Sequence, residues 1–290
     1  MQPFGLQATC AGLLVATLLA FRAVRKNFLS AAGAVAGFCV GFLIVATGWR
    51  GMVLLYFYQL GSMATKHKKK IKQRLDATAA EAAVRGVRQV LACSILAVML
   101  SLTHVYYCGA EASMDFEERP LASRLSAAVL AHHSTCLADT LASELGILAK
   151  QPPVLLTKPW KRVPAGTNGG ITVAGTLFSL VGGLLMGIST VAMDAVSGLS
   201  PLHLLQTTLF GGMCGLVGSM IDSFLGATVQ ATYWDDDAKI VHHADAHLPK
   251  SAKLVTGMNW LTNEQVNLVS VAVTTVFGGW VLAPWFYSLF

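Results

Sequence analysis

Asp139, Thr140, Ser143 and Glu144 stand together in an apolar stretch, and Asp222, Ser223 and Gly226 repeat the arrangement farther along. Each stretch reads as an acid followed by a small hydroxyl residue, with a further small residue three or four positions on. A charge at bilayer depth costs roughly 2.5–3.5 kcal/mol on translocon-type scales, so such an acid normally lines a polar cavity or site. Between the two stretches lies the turn Gly166, Thr167, Asn168, Gly169 and Gly170, just before a glycine-rich span. Backbone N–H groups in such a turn, at a helix N-terminus, can form an anion-binding nest for phosphate. Lys158, Lys161 and Arg162 stand just upstream and add weight to that chemistry. No Gly-Lys-Ser/Thr follows the glycines, so the turn is not a Walker loop. Lys66 closes one span and Asn267 opens another on the same side.

Helices must bring these groups together. Residues three or four apart share a helix face, which puts Thr135, Asp139, Ala142, Ser143 and Gly146 in one small, polar stripe. Glu144 stacks on Thr140 instead, so a regular helix does not aim both acids at one ion. Either Glu144 has another partner or the helix breaks near Gly146. Farther along, Gly211, Gly215, Gly218, Asp222, Gly226 and Gln230 form a second stripe whose glycines permit close helix contact.

The chain has 290 residues, of which 54% are hydrophobic and 12% charged. Soluble domains run nearer 25% charged, and the mean hydropathy is +0.58. The expected architecture is an all-α, polytopic membrane bundle in a single domain, with about eight spans. They fall at 4–21, 29–48, 50–65, 87–107, 125–145, 170–193, 203–228 and 266–288. The first is expected to be retained rather than cleaved as a signal peptide, because basic residues follow it instead of preceding it. The net charge of +6 is no nucleic-acid signal, since the cations sit in short loops and set orientation. Loops holding Arg22, Arg25 and Lys26, the run from Lys66 to Arg88, and Lys150 to Arg162 share the inner face. The acidic segment Cys108–Arg124 faces out. Asp139, Glu144, Asp222, Lys66, the glycine turn and Asn267 then converge on the inner face. The six cysteines contain no C-x-x-C pair and imply neither a disulfide framework nor a zinc knuckle. His132 and His133 lack the i, i+4 spacing of a paired metal site and read as structural. The tract from Asp235 to Asp237 with His242, His243 and His247 reads as solvated linker.

Several segments together resemble the transmembrane protein 19 family. They are Ser62–Lys66, Asp139–Gly146 (Asp-Thr-Leu-Ala-Ser-Glu-Leu-Gly), Pro164–Gly170, Gly218–Gln230 and Val266-Asn267, in order from about residue 29 to the C-terminus. That family includes plant phytyl-phosphate kinases, and the D-x-x-A-S-x-x-G pattern also resembles the nucleotide-site motif of dolichol kinase and related CTP-using membrane enzymes. The resemblance implies a membrane kinase acting on an isoprenyl monophosphate with CTP, or another nucleoside triphosphate such as ATP, and Mg²⁺. Asp139 and Asp222 would hold the metal, and Lys66 would join them at the transferring phosphoryl group. Thr140, Ser143, Glu144, Gly166, Thr167, Asn168, Gly169, Gly170, Ser223, Gly226 and Asn267 would surround the nucleotide and phosphates. The expected partners are membrane lipid, both substrates and a second copy of the chain, with no nucleic acid. The endoplasmic reticulum or another intracellular membrane is the expected location. An ion-coupled transporter or lipid flippase using Asp139 and Asp222 is the alternative, because the repeated acid motif could mark two related halves.

Overall fold

The structure is a computed structural model that describes residues 1–77, 84–199, 203–243 and 248–289. Helices α1 (Leu6–Arg25) and α2 (Ala31–Thr47) form a pair. A 3-10 turn, Trp49–Met52, leads to α3 (Val53–Lys66) and the short α4 (Lys69–Lys72). Then come α5 (Val87–Ala92), α6 (Ile95–Cys108), α7 (Pro120–Gly146), α8 (Val173–Val196) and α9 (Leu204–Val229). α10 (Asn263–Phe277) runs through a π segment, Gly278–Leu282, into α11 (Ala283–Tyr287).

Local chemistry sets the helix starts. Ser30 caps α2 by accepting from Gly33 N at 3.0 Å, and Thr172 caps α8 from Gly175 N at 3.0 Å. Thr262 and Gln265 form a reciprocal capping box on α10. Pro120 opens α7, where its missing N–H costs nothing. Among the described residues four helical stretches are long and apolar enough to cross a membrane: Leu6–Arg25, Val173–Val196, Leu204–Val229 and Asn263–Tyr287. α7 has 27 residues but is not among them. It is the polar axis of the bundle and packs on α3, α6, α8, α9 and α10. Leu130, Leu137, Leu141, Met186, Phe210 and Phe286 belong to the apolar core around it.

The all-α expectation needs correcting. Two three-stranded antiparallel sheets hang from the helix ends. One has strand order β2-β1-β3, from β1 (Val154–Leu155), β2 (Lys158–Arg162) and β3 (Gly170–Ile171). The other has order β5-β4-β6, from β4 (Thr232–Asp235), β5 (Ile240–His243) and β6 (Ala252–Thr256). The second occupies the segment read as solvated linker, yet Thr232 and Val241 are fully buried. Asp236 to Lys239 form the hairpin turn between β4 and β5, and Asp235 ends β4 just before it. Asp235 accepts from Asp237 N at 2.9 Å, Ser251 Oγ at 2.9 Å and Ala238 N at 3.3 Å. These bonds, that from Asp237 N foremost, hold its carboxyl below the usual range. His247 of the same tract lies outside the described residues.

The connections sort to two ends. Ser30 N donates to Arg85 O, Lys66 Nζ sits over the Phe28 ring, and Val241 N donates to Leu75 O, so the 26–30, 66–88 and 230–262 connections share one end. At the other end, Arg50 and Glu111 meet Asp194 of α8 and the last turn of the chain.

Candidate functional site

Helices α7, α8 and α9 pack backbone against backbone over their middle turns. A Cβ on Gly182 would lie 2.8 Å from Ala138 Cα, one on Gly215 2.8 Å from Gly183 Cα, and one on Gly187 2.6 Å from Thr208 Cα. The glycine stripe of α9 serves this contact, as its spacing suggests. Toward the sheet end a buried Ser179–Ser219 hydroxyl pair, 3.0 Å apart, joins α8 to α9, while α7 still meets α8 closely at Gly146 and Gly175. A cavity of about 590 Å³ opens there, within the usual size of ligand pockets.

Asp139 and Asp222 both line it, within electrostatic reach of one another. Asp222 is oriented by α10. Ser270 Oγ donates to its Oδ2 at 2.9 Å. The amide of Asn267 faces two acceptors, so its nitrogen belongs there, donating to Asp222 Oδ2 at 3.1 Å and Asn263 O at 3.2 Å. Asp139 accepts no hydrogen bond from a described side chain, and its carboxylate is left to the cavity. Thr140 and Ser143 line the wall, their hydroxyls donating to Cys136 O at 2.8 Å and Asp139 O at 2.9 Å.

α7 continues unbroken to Gly146, so the helix-break option for Glu144 falls. Its partner is Lys72 of α4, whose buried ammonium reaches the last carbonyls of α3. The Lys72 ammonium also donates to Thr65 O at 2.7 Å and Ala64 O at 3.0 Å, which uses all three of its protons.

The glycine turn forms the roof. Gly166 and Gly169 have φ of +92° and +72°, the left-handed region that glycine tolerates best. A Cβ on Gly169 would come 2.5 Å from Ala227 N and Ser223 O, so this residue lets the turn press on α9. Gly226 is the counterpart. It does not line the cavity, but a Cβ there would meet Gly169 N at 3.1 Å and Asn168 Cβ at 3.4 Å. The anion-binding nest expected of the Gly166 to Gly170 turn keeps only part of its backbone donors. Thr167 N donates to Pro164 O, Asn168 N to Thr232 Oγ1 and Gly170 N to Thr167 O. Only the Gly166 and Gly169 N–H groups lack a partner among the described residues. The Asn168 side chain instead meets His243 Nδ1 at 3.1 Å, and His243 Nε2 meets Asp76 Oδ2 at 3.4 Å. That chain ties the roof to β5 and to the segment after α4.

Of the side chains expected at the site, Asp139, Thr140, Ser143, Glu144, the 166–170 turn, Asp222, Ser223 and Asn267 line this one cavity. Lys66 does not, and its role at the phosphoryl group is withdrawn. Its ammonium lies 4.0 Å from the Phe28 ring centroid, in a cation–π contact facing away. Lys72, Asp76, Arg85, Gln230, His243 and Glu264 also line the cavity and were missed. One signal was available. Thr-Tyr-Trp followed by Asp-Asp-Asp-Ala-Lys and Ile-Val is a hairpin pattern.

Five carboxylates, Asp76, Asp139, Glu144, Asp222 and Glu264, thus face two permanent cations, Lys72 and Arg85. Among the described residues no three His, Cys, Asp or Glu side chains are grouped to hold a metal by themselves. A cation here would take Asp139 and Asp222 together with oxygens that the protein does not supply.

Comparison with known proteins follows the same outline. A family model, "Integral membrane protein DUF92", matches residues 14–275. Protein PGR of Arabidopsis thaliana is 31% identical over 272 residues, covering 91% of this chain and 92% of its own length. An uncharacterized membrane protein of Synechocystis is 27% identical over 221 residues, covering 75% of this chain and 79% of its own. Protein VTE6, chloroplastic, of Arabidopsis thaliana is 24% identical over 250 residues, 86% of this chain but 63% of its own. No solved structure matches the chain. The match runs from within α1 to within α10 and takes in the polar axis α7, the long apolar α8 and α9 and both cavity-lining sheets, so this chain belongs to the DUF92 family of multi-pass integral membrane proteins.

Proposed function

We propose that this protein is a membrane kinase that passes a phosphoryl group from a nucleoside triphosphate to an isoprenyl monophosphate. The single observation that carries the reading is one cavity, at one end of the bundle, joining Asp139, Asp222 and the 166–170 turn. Phosphoryl transfer asks a protein for positioning and charge neutralisation rather than covalent help. The donor set fits Mg²⁺, which favours one or two carboxylates completed by phosphate oxygens and water. Asp139 and Asp222 would hold it, and when bound it would neutralise charge on the phosphates.

The chain's own groups supply the rest. Ser270 and Asn267 fix the Asp222 carboxylate. Arg85 faces the cavity and makes no ion pair with a described residue, so it is free to take a phosphate. The Gly166 and Gly169 N–H groups and the Ser223 hydroxyl would bind further phosphate oxygens, joined by the Ser143 hydroxyl once it turns its proton away from Asp139 O. Lys72 and Glu144, spent on each other, support the wall. The resemblance of Asp139–Gly146 to the dolichol kinase motif favours CTP as donor, and that to phytyl-phosphate kinases favours a polyprenyl-type acceptor.

A transporter would need a path to the opposite end. The contact of Gly182, Gly183 and Gly187 with α7 and α9 leaves no side chain there that could swing aside. The test is purified full-length protein in lipid nanodiscs, given Mg²⁺, γ-labelled CTP or ATP, and a panel of phytyl, geranylgeranyl and farnesyl monophosphates. Label should appear in a prenyl diphosphate. Its absence across the panel would sink the kinase reading.

A further inference from the structure

At the end of the bundle away from the large cavity, the Trp49–Met52 turn, the segment after α6 and helices α6, α7 and α8 enclose a smaller pocket of about 50 Å³. Its edge is charged. Arg50 makes a two-pronged pair with Asp194, at 2.5 Å and 3.0 Å, and donates to Ser126 Oγ and Ala112 O at 2.9 Å each. Glu111 accepts from the backbone N–H groups of Trp49 and Arg50 at 2.9 Å and 2.8 Å. One guanidinium therefore stands against two carboxyl groups, so with both ionised one negative charge is left over. Burial pushes the carboxyl of Glu111 above its usual range, against the pull of Arg50.

Deeper in the pocket lie His104 of α6 and His133 of α7, 8% and 2% exposed. Neither ring nitrogen of His133, nor Nε2 of His104, has a partner among the described residues. A buried polar nitrogen without a partner is costly, and this space, walled mostly by apolar side chains but reached by Arg50, Glu111 and the two histidine rings, has room for about three waters. Thr47 and Thr190 on the wall donate to their own helices, leaving their oxygens able to accept.

We propose that this pocket is a hydrated proton-binding site: a short chain of waters joins His133 and His104 to the Arg50–Glu111–Asp194 cluster and holds one exchangeable proton against its excess negative charge. The titratable and charged groups around it are Arg50, Glu111, His104 and His133 on its wall, Asp194 behind Arg50, His132 beside His133 with ring centroids 5.2 Å apart, and Tyr287 near Arg50. The site is separate from the large cavity and stands whether or not that cavity transfers phosphate.

The test uses the full-length protein in nanodiscs with ¹⁵N-labelled histidine, followed by solid-state NMR from pH 8 to pH 5. His133→Phe and His104→Phe assign the two signals. Magnetisation should pass from water to the His133 ring nitrogens, and one of the two rings should gain a proton within the range. Glu111→Gln, which removes the excess charge, should move that midpoint to lower pH. A dry His133, a pair of rings that never titrates, or a midpoint indifferent to Glu111→Gln would each overturn the proposal. Should Glu111→Gln fail to fold, the titration of the unaltered protein decides alone.

Discussion

Lys66 and Lys72 belong to one basic run, yet their surroundings differ in kind. Lys66 is exposed and rests on the Phe28 ring, a contact worth about 0.5–1 kcal/mol at an exposed site. Lys72 is buried and spends every proton on Ala64 O, Thr65 O and Glu144. Lys72→Met leaves a carboxylate and two helix-end carbonyls short of a donor, so it should cost about 1–3 kcal/mol of stability. Lys66→Met should cost less than about 1 kcal/mol and leave turnover unchanged. Thermal unfolding in detergent compares them, and equal losses would mean that the Lys72 contacts are not made. The reason sequence favoured the wrong lysine is physical. Position in a run says where charge accumulates, whereas burial depends on how α4 folds back beneath α3. Asp139 and Asp222 were legible because a carboxylate in an apolar stretch has few places to go. Glu144 was legible only in part: the helix period separated it from Asp139 but could not name Lys72.

At the scale of elements, the site depends on a turn pressed onto a helix. Gly169 holds φ of +72° with Ala227 N and Ser223 O too close for a Cβ. Gly169→Ala should therefore lift the roof from α9, releasing Asn168 from His243 and lowering both stability and turnover. Gly86→Ala is the control for stability alone, since a Cβ there meets nothing within 4 Å although the residue lines the cavity. Equal stability of the two variants would contradict the packing described. Gly218→Leu should fail earlier, at assembly, because its side chain would overlap Thr135 of α7. Helical periodicity revealed the glycine stripe and the helices. The sheets were hidden for a different reason: strands of two to five residues gain their order from pairing with distant partners, as Val154 does with Ile171 and Asp76 with Val241. Composition alone made the segment of the second sheet, Asp235 to His243, look like solvated linker.

Across the whole molecule, both sheets and the large cavity lie at one end, and the Arg50–Glu111–Asp194 cluster at the other. Thiol labelling should respect that division. With the exposed Cys10 and Cys39 replaced, cysteines introduced at Lys70, Trp160 and Lys253 should react from one side of a sealed vesicle, and one at Glu117 from the other. Trp160 reacting with Glu117 would break the two-ended arrangement. The central claim is that Asp139 and Asp222 together serve phosphoryl transfer in that one-ended cavity. The measurement that addresses it most directly is transfer of labelled phosphate to a prenyl monophosphate by Asp139→Asn and Asp222→Asn, each shown to be folded in nanodiscs. Asn keeps the shape and removes the charge that a metal needs. The expected result is a loss of about a thousandfold or more for each, corresponding to about 4 kcal/mol of barrier. Near-normal turnover by both folded variants would contradict it.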